Sequence, residues 1–213
     1  GTRAAVEGRV RNRRSSREIG EMVSAEKISF EVHPVSYEDG QGKERVIGIG
    51  FGLGSIDIVE FERRTDRAGR FIPEEEGWKK RTLIEGGRST TFESIPLLRS
   101  RLSMKGDTLL FAAKSGEKDA IYLYDASERA ILKRVTFDGA RVLSSPALSP
   151  DGRRIVFSAL DKRGKSDLYI HDLADGTFQR LTDDYYEDIH PDWHPSDERI
   201  LFSSDRCAGG LGG

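Results

Sequence analysis

The 213-residue chain has a single cysteine, Cys207. A lone thiol closes no internal disulfide, so cysteine usage leaves the redox compartment open. No apolar run approaches the ~18 residues of a membrane-spanning helix, which excludes a helical span. A basic excess is also missing. Lys and Arg number 34 against 36 Asp and Glu, for a net charge of −2 and a pI near 6.2. Nucleic-acid binders normally carry a basic surplus, so nucleic acid is not an expected partner. The first twenty residues hold Arg3, Arg9, Arg11, Arg13, Arg14 and Arg17 but no apolar stretch, and so do not read as a secretory signal. Glu7, Glu18 and Glu21 among them favour a solvated segment over a phosphate or membrane contact. No Met opens the chain and glycines close it, so both ends are expected to continue in the natural protein. The composition, 36% hydrophobic and 33% charged with a mean hydropathy of −0.54, suits one large domain or two small ones.

What the sequence does have is an internal repeat. Leu102-Ser103-Met104-Lys105-Gly106-Asp107-Thr108-Leu109-Leu110-Phe111 aligns with Leu148-Ser149-Pro150-Asp151-Gly152-Arg153-Arg154-Ile155-Val156-Phe157 at an offset of 46 (148 minus 102). Trp193-His194-Pro195-Ser196-Asp197-Glu198-Arg199-Ile200-Leu201-Phe202 follows at 45 (193 minus 148). Downstream pieces keep register: Ile121–Asp125 answers Leu168–Asp172, and Arg134-Val135-Thr136 answers Arg180-Leu181-Thr182. A diverged fourth copy is marked by Val32-His33-Pro34, Asp39-Gly40, Ile56–Val59 and Lys80–Leu83, with a longer loop at 71–77.

Each copy reads as four short strands. A Pro-Asp-Gly turn supplies the backbone freedom a tight reversal needs. A β-branched and aromatic strand follows, then an alternating one, then a short last strand. A period near 45 without amphipathic helices fits radially arranged four-stranded blades. The expected fold is therefore all-β, a partial β-propeller of about three and a half four-stranded blades. The blades are placed at 31–92, 94–138, 144–183 and 189–206, the last incomplete, after a basic linker or short helix over 1–27. An unclosed arc would expose strand edges, so this chain alone is expected to be marginally stable or to self-associate.

The run Ser145-Pro146-Ala147-Leu148-Ser149-Pro150-Asp151-Gly152-Arg153-Arg154-Ile155-Val156-Phe157, followed by Ser166–Ile170, resembles the TolB-like β-propeller repeat, a WD40-like unit. The repeat is shared with the propellers of prolyl-oligopeptidase-type and tricorn-like peptidases. Phe92–Ser100 is also similar to bacterial Tol-type or biopolymer-transporter-like proteins. The resemblance covers about residues 30 to 206 and implies the fold. It further implies protein partners, among them cell-envelope components, and a periplasmic or envelope location. Function does not follow from the repeat alone, which serves several unrelated roles.

Candidate chemistry is sparse. His190 and His194, beside Asp188 and Asp192, have a spacing that chelates zinc on a helix. On an extended segment, side chains four apart stand ~13 Å apart. Histidine recurs at the same repeat position, His33-Pro34 and His190-Pro191, as a blade feature would. No metal site is expected, and no Asp-x-Asp-x-Asp-Gly loop for calcium is present. The alternating Gly48, Gly50, Gly52 and Gly54 suggest a strand pressed against a neighbouring backbone, since the dinucleotide fingerprint has different spacing. The sequence contains no Gly-x-Ser-x-Gly elbow, and Cys207 sits in a glycine-rich tail. No catalytic residue and no cofactor is expected. The candidate partner-binding residues are Asp183, Asp184, Tyr185 and Tyr186, with His190 and Trp193. They lie in or beside a connection between blades, where propellers meet partners. A solvated connector is the equal alternative. Two functions stay open: a non-catalytic interaction module, or the substrate-gating part of a peptidase whose catalytic domain lies outside these residues.

Overall fold

The computed structural model describes residues 31–51, 56–68, 70, 78–86, 101–116, 118–196 and 199–206. The proposed N-terminal segment, the 71–77 loop, Phe92–Ser100, Gly52, Gly54 and Cys207 lie outside them. The described residues form fourteen strands and no α-helix. The first sheet is β1 (Glu31–Glu38), β2 (Glu44–Phe51), β3 (Ile56–Arg63) and β4 (Trp78–Ile84). The second is β5 (Ser103–Lys105), β6 (Thr108–Ser115), β7 (Lys118–Asp125) and β8 (Ala130–Thr136). The third is β9 (Val142–Leu148), β10 (Arg154–Leu160), β11 (Ser166–Asp172) and β12 (Phe178–Arg180). A two-stranded sheet, β13 (Asp188–Trp193) and β14 (Ile200–Ser204), follows. All are antiparallel meanders in chain order, three four-stranded and one two-stranded, as a partial propeller requires.

The strand sequences explain the stacking. A strand sends alternate side chains to opposite faces of its sheet. In β6 both sets are apolar because both faces are covered. Leu109 and Phe111 meet Ile47, Ile49 and Ile58 of the first sheet, while Leu110 packs with Leu143, Ile155 and Phe157 of the third. Trp193 closes on Ala147 and Val156 in the same manner. Fully burying one such large side chain stabilises by about 2–3 kcal/mol.

Asp119 Oδ2 accepts from the Leu143 amide at 3.0 Å, a polar clip between the second and third sheets, and Asp57 Oδ1 accepts from the Gly86 amide at 3.1 Å, which ties the segment after β4 back to β3. Gly86 must be glycine there, because a Cβ would stand 1.8 Å from the Ile56 carbonyl oxygen. Burial pushes the Asp119 carboxyl above its ordinary value, against the pull of that amide. The first sheet differs inside: buried Glu60 accepts from the Tyr37 hydroxyl at 2.7 Å and pairs with Arg45 at 3.5 Å and with Arg81. Burial and that carboxylate raise Tyr37 well beyond the usual phenol range.

The turns share a device that the sequence reading did not identify. In Asp39-Gly40-Gln41-Gly42-Lys43 and Asp161-Lys162-Arg163-Gly164-Lys165, one aspartate Oδ1 accepts the amides two and four residues on, at 2.7–3.0 Å. Gly42 and Gly164 carry the positive φ that closes the loop, 74° and 83°.

Candidate functional site

Because every sheet is a meander, alternate connections fall at opposite strand ends. The β9–β10 and β11–β12 turns occupy one end. The β10–β11 loop and the β12–β13 connection occupy the other, together with Arg206 beyond β14.

The 181–187 connection is anchored at both sides. At its start, Leu181 N–H donates to Leu168 O at 2.8 Å, and Leu168 N–H donates to Thr182 Oγ1 at 3.0 Å. Arg180 bridges buried Asp167 at 2.6 Å and Asp183 at 2.8 Å. These bonds give the Arg-Leu-Thr repeat its role: it ties the outermost strand back to β11. At the far end, Glu187 N–H donates to Asp205 Oδ1 at 2.7 Å. Arg206 pairs with Asp184 and, at 3.1 Å, with fully buried Asp188. Between the anchors, Tyr186 N–H donates to Asp184 Oδ1 at 3.0 Å, which shapes a local turn.

That turn presents both tyrosines. Tyr185 is 91% exposed and Tyr186 42%. Lys165 Nζ stands 4.3 Å from the Tyr185 ring centroid, and the Arg206 guanidinium 5.6 Å from that of Tyr186. An aromatic ring with a cation over it has one face steered and the other open. Asp183, Asp184, Tyr185 and Tyr186 thus share one braced loop, joined by Lys165 and Arg206 from elsewhere in the chain.

Trp193 lies apart from this group and is a correction to its place among the surface candidates. It is 5% exposed, donates from Nε1 to Ala147 O at 3.1 Å, and has Arg154 over its ring at 5.1 Å. Its large apolar area is buried between the third and fourth sheets, so it offers no surface to a partner. The alignment held the signal, since Leu102 and Leu148 occupy the same repeat position.

His190 sits near the start of β13, half-buried, with φ 55°. His33 at φ 53° and Ser145 at φ 50° occupy the equivalent places in β1 and β9. Each precedes a proline, and each falls where the strand pairing shifts register. His190 is held below the ordinary histidine value first by burial, then by the charges of Arg101 and His33. His194 lies past the end of β13, where its Nδ1 accepts from the Ser196 amide at 3.3 Å. Among the described residues no group of three His, Cys, Asp or Glu is placed to hold a metal ion. No helix among them is long and apolar enough to cross a membrane.

Residues 84–210, more than half of the chain, match the family described as the TolB beta propeller domain. The chain belongs to this TolB β-propeller family. A curated relative, the Tol-Pal system protein TolB of Alcanivorax borkumensis, is 33% identical over 66 residues, 30% of this chain and 15% of that protein. The crystal structure of TolB from Acinetobacter baumannii superposes with a TM-score of 0.57 at 19% identity, over 83% of this chain and 39% of that one. A prolyl endopeptidase structure gives 0.52 at 12% identity, over 93% of this chain and 29% of that one. At these identities the two structures share the fold alone. The chain spans a minor part of each of these relatives. The TolB β-propeller match begins at the last residue of β4 and takes in the second, third and fourth sheets.

Proposed function

We propose that this chain is a non-catalytic interaction module that binds polypeptide partners across the loop end of its blades, in the periplasm or cell envelope. The observation that carries the reading is the 181–187 connection. It is braced at both sides by Arg180 and Arg206, yet holds Tyr185 at 91% exposure. Aromatic side chains on a preordered support lose little freedom on binding and are typical anchors of recognition. The envelope location is carried over from likeness to a Tol-Pal system protein. Nucleic acid is disfavoured by the net charge of −2 and by Asp183, Asp184 and Glu187 on the same loop.

The test is capture of envelope proteins from a bacterial extract by the immobilised chain and by its Tyr185→Ala/Tyr186→Ala variant. Capture is expected to fall at least tenfold with the unfolding midpoint unchanged. Undiminished capture by the double variant removes the loop assignment.

The peptidase-gating reading draws on the fold likeness to the prolyl endopeptidase, which covers 93% of this chain. It is distinguished by the natural gene product. A Gly-x-Ser-x-Gly elbow encoded in frame with these blades would favour gating over the interaction module.

A further inference from the structure

The first sheet holds a groove of its own, away from the tyrosine loop. The β1–β2 turn, the end of β3 and the start of β4 surround an open cavity of about 510 Å³. Four cationic side chains line it: Lys43 from the turn, Arg63 and Arg64 at and just beyond the end of β3, and Lys79 from β4. Two carboxylates, Glu44 and Glu62, line it as well, which leaves an excess of two positive charges around one space. Glu62 is already engaged within its own sheet. Its Oε1 accepts from Lys43 Nζ at 3.2 Å, and its Oε2 from Arg45, which stands outside the groove, also at 3.2 Å. An ammonium has three N–H donors, and Glu62 takes one of those on Lys43. Lys79 and Thr65, both exposed, bring an ammonium and a hydroxyl to the same groove, and neither side chain bonds to another described residue. The walls are ordered. The Asp39 carboxylate accepts the Gln41 and Lys43 amides at 2.9 Å, which fixes the turn, and the Arg63 guanidinium lies 5.7 Å from the Trp78 ring centroid.

We infer that this groove binds a phosphomonoester, with Lys43, Lys79 and Thr65 meeting the phosphate oxygens. A phosphomonoester carries about −1.5 to −2 at neutral pH, which matches the excess of positive charge in the lining. Its oxygens accept several charge-assisted hydrogen bonds at once, and lysine ammoniums serve it as point charges beside the hydroxyl donor. The groove is larger than a phosphate alone, so the phosphate arrives on an organic group. Glu44 in the lining and the net charge of −2 on the chain oppose an extended polyanion such as nucleic acid. Small soluble phosphomonoesters and lipid headgroups carry the same group, and the experiment separates these two sources. The site lies on a different sheet from Tyr185 and does not rest on the function proposed above.

The experiment is calorimetric titration of the 213-residue chain with glycerol 3-phosphate, with glycerol and acetate as controls. A parallel arm measures co-sedimentation with phosphatidylcholine vesicles, with and without phosphatidic acid. Glycerol 3-phosphate is expected to bind saturably at one site, more weakly as salt rises, while glycerol and acetate do not bind. Lys79→Gln should weaken it roughly fivefold or more, and Thr65→Val roughly threefold. Both side chains are exposed, so the unfolding midpoint should not move. Binding to the phosphatidic acid vesicles alone, lost in Lys79→Gln, would uphold the site and make the source a lipid headgroup. Binding of neither phosphate, equal binding of acetate, or unaltered binding in both variants would overturn the site. The Tyr185→Ala/Tyr186→Ala variant should titrate like the wild type.

Discussion

At one end of the strands, short hairpins are sealed by aspartates whose Oδ1 atoms accept bonds from the turn itself. Asp151 takes the Ser149 hydroxyl at 2.5 Å and the Arg153 amide at 3.1 Å. Asp125 accepts the amides of Ser127 and Glu128, and Asp175 the amide and hydroxyl of Thr177. These bonds hold all three carboxyls below their ordinary value. At the other end, the 181–187 connection also anchors its carboxylates, Asp183 on Arg180 and Asp184 on Arg206, but leaves two aromatic rings in solvent. The difference separates two uses of one device. Where the aspartate closes the turn on itself, nothing is presented. Where it clamps the flanks of a longer loop, the middle becomes a rigid display. Stability should therefore reside at the turn end and in the core, and binding at the loop end.

The largest expected effect tests whether both ends depend on one core. Phe157 is fully buried, stacks on Tyr169 at 5.9 Å, and meets Phe137 edge-on at 5.9 Å. Phe157→Ala should cost about 3–5 kcal/mol in urea unfolding and abolish capture together with the fold. Next is the clip between sheets: Asp119→Ala leaves the Leu143 amide without its acceptor and should cost about 1–3 kcal/mol by the same measurement.

Asp151→Ala sharpens the comparison. It should cost about 1 kcal/mol and leave capture intact, because it loosens only the turn end.

A smaller effect should appear with pH. His171 is buried, donates from Nδ1 to Thr177 O at 3.1 Å and stacks on Phe178; burial is the main cause that lowers its pKa from 6.5. The folded state then binds fewer protons than the unfolded one. This stability is present above about pH 6.5 and is lost as pH falls from there towards the depressed value. Thermal unfolding between pH 7.5 and 5 should show the decline, and His171→Gln should flatten it. Least disturbing of all, Tyr185→Ala/Tyr186→Ala should shift stability by no more than about 0.5 kcal/mol.

The fold was legible because the third copy spells out its own turn and its own strands. Pro150-Asp151-Gly152 marks one reversal, and Arg180-Leu181-Thr182 marks the end of a blade. The tyrosine loop was legible as an interruption between copies. Trp193 is legible as a core residue only through its repeat position, which it shares with Leu102 and Leu148, and not through its residue type beside an exposed loop. Lys165 and Arg206 were not legible at all. They reach the tyrosines across separate elements, and no local spacing encodes that meeting. The left-handed backbone at His33, Ser145 and His190 leaves one trace in the sequence, the proline that follows each. Proline restricts the residue before it without specifying this conformation.

The account rests on binding at the loop end, and site-specific photo-crosslinking compares the two ends directly. A photoreactive phenylalanine analogue at Tyr185 is compared with the same analogue at Asp151, with both proteins incubated in envelope extract. The account predicts a discrete crosslinked polypeptide from position 185 and none from position 151. Crosslinking from position 151 alone, or equally from both, would contradict it.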